Sequence, residues 1–380
     1  MGEHEARSLI TTLAAEPQPP STIDVERAVR DGHRRRRRRL LMECGAVVAA
    51  VALVAGGVGL LGRSGGRSAP APVAAPAPTR FDPLVRYADF GWLPPGMSER
   101  SVSVSSDGIV LEARTPKGKP YEWFESQVGV ALSPAGRNVD DESLVPISQG
   151  SDENCPHDEQ AGAASAIQGR PAQWVFRSDV AGTHCRWTAT ELRWQYAPGA
   201  WAAARIARAP GVTDIPATLV HIAETLQVDR KEPVRMPFQA RYVPAGLRLA
   251  ESLSDQGVPG SKKWRVELYF EPSGRKPSSG VGSQDDDSGP GVSIDVLPMS
   301  ASDPNDETGP PNTTVDGHPA VRMRTKNGSG TDEVLRVLDV RGFEVSIMTS
   351  RLRKGEPERI LRGLTLLGPD RTAWTTRPLG

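Results

Sequence analysis

The sequence has little of three things: cysteine, aromatic side chains and net charge. Only three of its 380 residues are cysteine, which excludes a disulfide-dense scaffold. Lysine and arginine together equal aspartate and glutamate in number, so the chain has no basic excess of the kind that general nucleic-acid binding needs. Aromatic residues make up 5%, whereas there are 38 glycines and 34 prolines, which indicates a turn-rich and mostly β chain with modest cores.

Motifs for catalysis are also missing. The chain has no G-x-S-x-G, no P-loop and no H-E-x-x-H. A G-x-G-x-x-G match at 57–62 lies inside an apolar run, where the strand and helix of a dinucleotide site have no place. His221 and His318 have no carboxylate or nucleophile at an informative spacing. We therefore expect no catalytic residue, no cofactor and no metal, and the alternative is an enzyme with an unrecognised site.

The cysteines offer one candidate bond. Cys44 lies in the apolar run, which leaves Cys155 and Cys185 as a disulfide candidate if the compartment is oxidising. Two free thiols are the alternative. A zinc site with His157 and His184 has no standard spacing, and adjacent His184 and Cys185 would point to opposite faces of a strand. Acidic loops at 140–142, 285–287 and 303–307 lack the order of a calcium loop and are typical of solvated loops.

Residues 40–62 predict a transmembrane helix. No residue from Cys44 to Gly62 is charged, and at about 1.5 Å per residue this run approaches the ~30 Å hydrocarbon layer. Arginines before the run outnumber those after it, which predicts a cytoplasmic N-terminus and an extracytoplasmic C-terminus in the cell membrane. The alternative is a cleaved signal peptide. The predicted topology determinants are Arg34, Arg35, Arg36, Arg37, Arg38 and Arg39.

The segments on either side of this run are short. Residues 1–39 predict a largely disordered cytoplasmic tail with short helices, because neither helical pattern can bury enough surface to fold alone. The tail is a candidate binding segment for a cytoplasmic protein such as a sigma factor, and nucleic acid is not an expected partner. Residues 63–80 are rich in proline and alanine and predict an extended linker.

Downstream, the chain repeats itself. Trp92-Leu-Pro-Pro-Gly-Met97 returns as Tyr242-Val-Pro-Ala-Gly-Leu247, and Gly169-Arg-Pro-Ala172 returns as Gly317-His-Pro-Ala320. Two further blocks follow in the same order with slowly drifting spacing. We predict two extracytoplasmic repeats, 81–230 and 231–371, and a C-terminal tail at 372–380.

Each repeat is predicted to be an α+β unit, a mostly antiparallel sheet with a C-terminal helix. The aromatic-x-Pro-x-Gly blocks are turns that begin strands, because proline fixes φ and glycine permits positive φ. Helical spacing follows at 217–226 and 357–364. The fold prediction is thus α+β: two tandem sheet domains behind one transmembrane helix. Four tryptophans of the first repeat predict core packing or an aromatic groove for a peptide or glycan, namely Trp174, Trp187, Trp194 and Trp201.

The repeated turns, the Gly-x-x-Ala hairpins and the Ile222-Ala-Glu-Thr-Leu226 helix carry a resemblance. They are similar to a bacterial extracytoplasmic domain family of unknown function that occurs on single-span anti-sigma-factor-like membrane proteins, of actinobacterial type. The resemblance implies paired sensing or binding domains with an unknown extracytoplasmic ligand and a regulatory link to a cytoplasmic sigma factor. The alternative function is an envelope or cell-wall accessory protein.

Overall fold

The computed structural model of the protein describes nine stretches of the chain. All of them belong to one compact unit, 72–380. The described residues are 76–115, 127–137, 157–179, 189–207, 212–257, 264–274, 290–301, 309–327 and 330–380.

Fourteen antiparallel strands form one continuous sheet, and two antiparallel ribbons accompany it. The strands of the first half of the large sheet are β2 (Glu99–Ser105), β3 (Ile109–Arg114), β4 (Gln127–Leu132), β5 (His157–Ala163), β6 (Ala172–Asp179), β7 (Ala189–Ala197) and β8 (Ala200–Ala207). Those of the second half are β11 (Leu247–Gly257), β12 (Arg265–Pro272), β13 (Gly291–Pro298), β14 (Thr313–Val315), β15 (His318–Asn327), β16 (Gly330–Val340) and β17 (Phe343–Ser350). One ribbon pairs β1 (Val85–Asp89) with β9 (Gln227–Pro233), and the other pairs β10 (Phe238–Ala240) with β18 (Leu364–Leu366).

The two halves of the large sheet have the same strand order. From the centre outward the first half runs β2-β3-β4-β8-β7-β6-β5, and the second runs β11-β12-β13-β17-β16-β15-β14. The halves meet where β2 pairs with β11, which are equivalent strands, in an antiparallel ladder. The register of this ladder is centred on Ser103 opposite Leu253. An approximate two-fold axis therefore passes through the sheet at this pair.

A short helix covers one face of the sheet in each half. Helix α1 (Ile215–Thr225) begins at Asp214, whose side chain accepts a hydrogen bond from the Ala217 amide at 2.9 Å. Helix α2 (Glu356–Gly363) begins after Gly355, which has a φ of 87°. The apolar strand residues on this face form a separate core in each half, against Leu219 and Ile222 of α1 and Ile360 of α2. We call this side the helix face and the opposite side the helix-free face.

Glycine permits a close approach between each helix end and the turn that packs on it. In the first half a Cβ at Gly91 would lie 2.0 Å from the Thr225 carbonyl oxygen. In the second half the glycine is on the other partner: a Cβ at Gly363 would lie 2.7 Å from Cβ of Tyr242. Each approach thus requires one residue without a side chain, and the two halves meet the requirement on opposite sides of the contact.

Several local predictions are confirmed. The repeated turns place Gly96 and Gly246 at φ values of 87° and 86°, and the strands β2 and β11 follow them. The helices lie within one or two residues of the predicted ranges. The bounds of the C-terminal tail, 372–380, stay a prediction; its Thr375 carbonyl accepts a hydrogen bond from the Met236 amide of the second half at 2.9 Å.

The predicted fold class is wrong. The described chain is mostly β, its only two α-helices have 11 and 8 residues, and a single sheet takes the place of two separate ones. The physical reason is that β2 and β11 each leave one edge unpaired within their own half, and these edges pair with each other. Nor do the described residues contain any helix long and apolar enough to cross a bilayer, so the predicted architecture behind a membrane helix is not found.

Residues 40–62 themselves lie outside the described residues, as do 1–39 and most of 63–80. The boundary between 81–230 and 231–371 stays a prediction; strand β9 runs across it.

Candidate functional site

One row of side chains crosses the helix-free face through the centre of the sheet. Successive strand pairs place each member directly opposite the next, because paired residues in a ladder project to the same side. We call this set the central row: Arg193, Ala203, Ala131, Val110, Ser103, Leu253, Glu267, Asp295, Ser346 and Arg336.

The two halves of the central row differ in chemistry at equivalent positions. Equivalence follows from the strand order, the registers and the apolar residues of the helix face. Val110 corresponds to Glu267, Ala131 to Asp295 and Ala203 to Ser346. Beside the row, Trp201 packs on these small apolar residues, and its equivalent is Glu344. The same backbone positions are therefore apolar in the first half and acidic or polar in the second.

The acidic half of the row is held together by one arginine. Arg265 Nε donates to the Asp295 carboxylate at 2.9 Å, and its NH2 lies 3.1 Å from a carboxylate oxygen of Glu267. The Ser293 hydroxyl donates to the other oxygen of Glu267 at 2.6 Å. Arg265 is 49% exposed and lies at the outside of the cluster, whereas the carboxylates of Asp295 and Glu267 are 14% and 24% exposed.

Glu251 adds a further carboxylate at the joint between the halves. It lies on β11 two residues before Leu253 of the row, and its carboxylate accepts a hydrogen bond from the Ser103 hydroxyl at 2.5 Å. No cation of the described chain pairs with it. Burial raises the pKa of Glu251 to about 7, helped by the negative charge of Glu267 and opposed by the Ser103 hydrogen bond.

Asp295 is perturbed in the same direction. Burial raises its pKa to about 6; the charge and hydrogen bond of Arg265 oppose the rise, and Glu267 and Glu344 add to it. Two carboxyl groups with pKa values near neutrality thus flank Glu267. We call the set Glu251, Glu267, Asp295 and Arg265 the acidic cluster.

Ion pairs close both ends of the row. At the second end Arg336 binds Glu344 through two hydrogen bonds, of 2.5 and 2.8 Å, and both residues are buried. At the first end Glu191 lies between Arg193 and Arg205, with an oxygen 2.5 Å from each. At these ends the cations equal or outnumber the carboxylates, whereas in the acidic cluster the carboxylates outnumber the cations. The cluster is suited to taking up protons or a cationic group.

The residues predicted as sites lie elsewhere. Cys155, Cys185 and the whole block from Arg34 to Arg39 lie outside the described residues, so the disulfide and the topology signal stay predictions. His221 packs edge-on against Trp92, with ring centroids 4.4 Å apart. Within the described residues no three His, Cys, Asp or Glu side chains are grouped to hold a metal ion.

The tryptophans do not share one surface. Trp194 is buried in the core on the helix face, and Trp201 lies on the helix-free face. Trp174 is half-buried beside Phe176, with ring centroids 6.4 Å apart. Trp187 lies outside the described residues. The three that are described therefore do not form a common groove.

Sequence reasoning missed the acidic cluster. Glu267 and Asp295 alternate with core residues along their strands, which is the ordinary pattern of a sheet with one solvated face. The cluster could be found only by comparing the two repeats strand by strand. That comparison shows that Glu267 occupies the position of Val110 and is charged where Val110 is apolar. The distance between equivalents rises from 150 residues at β2 to 164 at β4, so a comparison at one constant spacing does not align them.

The comparisons with known proteins are distant. No protein-family model and no curated protein sequence matches the chain. The solved structures that align with it include MucB in complex with MucA(peri) and the MucA/MucB complex of Pseudomonas aeruginosa. Their TM-scores are 0.22 and 0.21, each at 11% identity over 71% of this chain and 93% of the other. At these TM-scores the likeness establishes neither a shared fold nor a shared function.

Proposed function

We propose that the protein is a non-enzymatic binding and sensing protein whose second half receives a basic segment of a protein partner on the helix-free face. The observation that carries the proposal is the divergence of the central row. The two halves share one strand order, yet the positions that hold Val110 and Ala131 in the first half hold Glu267 and Asp295 in the second. Burying carboxylates beside each other costs stability, so a local acidic cluster indicates a use beyond folding.

Charge defines the partner's chemistry. The acidic cluster has three carboxyl groups and one guanidinium, and Asp255 on β11 adds a further negative charge beside Arg265. Arg265 is half-exposed, so a second guanidinium or ammonium group can approach the same carboxylates from outside. A lysine or arginine there would lower the pKa values of Glu251 and Asp295 and displace their protons.

The proposal also names a cytoplasmic target that the protein regulates. The resemblance of the repeated turns and hairpins to domains on anti-sigma-factor-like proteins is the reason to name a sigma factor as the cytoplasmic target, reached through residues 1–39. The location is part of the same proposal: the described region acts outside the cytoplasm, as the arginine block before 40–62 predicts.

Exchange of the row tests the binding proposal. Glu267→Val, Asp295→Ala and Ser346→Ala together give the second half the residues that the first half already has at these positions. A photo-reactive benzoylphenylalanine would replace Leu297, a half-buried residue two positions after Asp295 on β13 and opposite Glu344, in the wild-type and exchanged chains. We expect a light-dependent adduct with one protein in the wild type and its loss after the exchange.

The adduct must then meet a chemical criterion. Mass spectrometry should locate the cross-link in a segment rich in lysine or arginine, and a synthetic peptide of that segment should bind the purified full chain at least tenfold more weakly after the exchange. An adduct that survives the exchange, or a segment without basic residues, would contradict the proposal.

Separate experiments address the target and the location. A sigma factor should co-purify with the full-length chain and be absent when residues 1–39 are deleted; its absence from both preparations would remove that part of the proposal. Protease added to intact cells should digest the region 81–371. Protection of that region would show the location to be wrong.

A further inference from the structure

The ladder between β2 and β11 is the one strand pairing that joins the two halves of the described sheet. Its pairs run from Glu251 opposite Ser105 to Asp255 opposite Ser101, with an irregularity before Gly257. On the helix face this joint is backed by the chain before β1, because the Ser252 hydroxyl donates to the Pro83 carbonyl and the Val234 amide donates to the Leu84 carbonyl at 2.8 Å.

On the helix-free face the joint has little apolar support. The β2 side chains there are serines 101, 103 and 105, and Leu253 is the one large apolar residue that the ladder contributes. On this face the Ser103 hydroxyl donates a side-chain hydrogen bond across the ladder to the Glu251 carboxylate. We propose that this joint is a pH-sensitive device: it is closed when Glu251 is protonated and loosened when Glu251 is ionised. The inference concerns the chain alone and requires no partner.

The surroundings of Glu251 decide which form the joint favours. On β12 Tyr269 lies opposite Glu251, and Glu267 and then Arg265 follow on the same face. On its own strand Asp255 lies beyond Leu253 in one direction, and Arg248 lies past the bulge in the other. Arg265 is engaged by Asp295 and Glu267, and Arg248 pairs with Glu271 at 2.7 Å. From β3 the nearest charge is Glu112, which lies opposite Ser101 and is bonded to Arg114 and Gln127. From β13 the nearest is Asp295, also acidic.

Ionisation of Glu251 therefore places an uncompensated charge beside Glu267 and inside the joint. The protonated carboxyl can keep the hydrogen bond with Ser103 without that repulsion. Burial and Glu267 give Glu251 a pKa near 7, so the transition falls within the neutral range, and Asp295 adds to the negative charge from about pH 6 upward. Opening the ladder admits water to the carboxylate, which removes the cost of its charge.

Hydrogen exchange of the full-length chain tests the device. Protection factors, corrected for the intrinsic exchange rate, would be measured at pH 5.5 and pH 8.0 in peptides covering β2 and β11. We expect protection to fall about tenfold at the higher pH in the wild type, while peptides from β16 and β17 change less than twofold. Glu251→Gln should keep the protection of the pH 5.5 state at both pH values.

Two further variants separate the device from a general structural effect. Glu112→Gln is the matched control, because it also removes a carboxylate from the helix-free face beside the joint, and it should behave as the wild type. Ser103→Ala removes the hydrogen bond that stabilises the ionised form, so it should move the midpoint of the transition to higher pH while leaving the chain folded. The proposal is overturned if Glu251→Gln responds to pH as the wild type does, if Ser103→Ala leaves the midpoint unchanged, or if protection falls equally in all strands.

Discussion

Ser103 on β2 lies directly opposite Leu253 on β11, and each residue occupies in its own half the position that the other occupies in the opposite half. The register is symmetric about this pair: Val104 lies opposite Ser252, and Val102 lies opposite Ser254. Equivalent strands therefore meet at the centre, and each position of the central row on one side has a counterpart on the other. A residue of one half can therefore be tested at the matching position of the other half, which provides an internal comparison for each substitution.

The first prediction uses this correspondence to compare Val110→Glu with Glu267→Val. Val110 is buried among Ala131 and Ala203, so a carboxylate there would be desolvated without a partner, and we expect a loss of about 3 kcal/mol or more in the free energy of unfolding. Glu267→Val removes repulsion from Glu251 and leaves Arg265 paired with Asp295, so we expect a change below about 1 kcal/mol.

Urea unfolding of both variants at pH 7 measures the difference. Equal losses in the two variants would mean that the halves tolerate the same chemistry and that the divergence of the central row has no energetic basis.

The second prediction concerns stability and pH. The pKa of Glu251 rises from 4.5 to about 7 on folding, so the folded chain holds this proton more tightly than the unfolded chain. Its contribution to stability is therefore full below about pH 4.5 and is lost as the pH rises through 7. We expect Glu251→Gln to be more stable than the wild type at pH 8 by about 1 to 3 kcal/mol, and to differ much less at pH 5.

The measured quantity is the difference between the two proteins, because ionisable groups that are distant from Glu251 contribute equally to both. Urea unfolding at pH 5, 6, 7 and 8 gives it directly. A difference that is constant over this range, or that shrinks toward pH 8, would be inconsistent with a raised pKa.

Local structure was largely predictable from the sequence. The turns at Gly96 and Gly246 need a residue that accepts positive φ, and the helix that begins near Pro216 has a capping residue, Asp214, immediately before it. These features depend on a few neighbouring residues, so one sequence is enough to find them.

The joint between the halves and the acidic cluster were not predictable in the same way. Pairing of β2 with β11 depends on which strand edges are left unpaired after each half has folded, and no short stretch of the sequence predicts which edges these are. Glu251 and Glu267 become neighbours only through this arrangement, and desolvation then shifts the pKa of Glu251. In the sequence alone, Glu251 and Glu267 resemble any charged residues on the solvated face of a strand.

The third prediction tests the close approach between each helix end and its turn. Gly91→Ala would place a Cβ 2.0 Å from the Thr225 carbonyl oxygen, a backbone atom that cannot move aside without shifting the end of α1. We expect a loss of more than about 2 kcal/mol. Gly363→Ala, with its Cβ 2.7 Å from that of Tyr242, should also be destabilising.

Gly108→Ala is the control, since its nearest contact would be the Leu132 carbonyl oxygen at an ordinary 3.5 Å and its φ is not positive. Thermal unfolding monitored by circular dichroism compares the three variants. A control that is as unstable as Gly91→Ala would indicate that any added side chain, and not the close approach, is responsible.

The fourth prediction contrasts a buried and an exposed ion pair in the second half. Arg336 and Glu344 are 8% and 5% exposed and share two hydrogen bonds, so Arg336→Ala leaves an uncompensated carboxylate inside the protein. We expect a loss of about 3 to 5 kcal/mol in the free energy of unfolding.

Arg362 and Asp316, 3.4 Å apart, are 60% and 51% exposed, and Arg362→Ala should cost less than about 0.5 kcal/mol because water screens the pair. In urea unfolding at pH 7, the double variant Arg336→Ala with Glu344→Leu should recover much of the stability that Arg336→Ala alone loses, since it removes the stranded charge. If the double variant were less stable than the single one, the loss would come from packing around Arg336 and not from the carboxylate left behind.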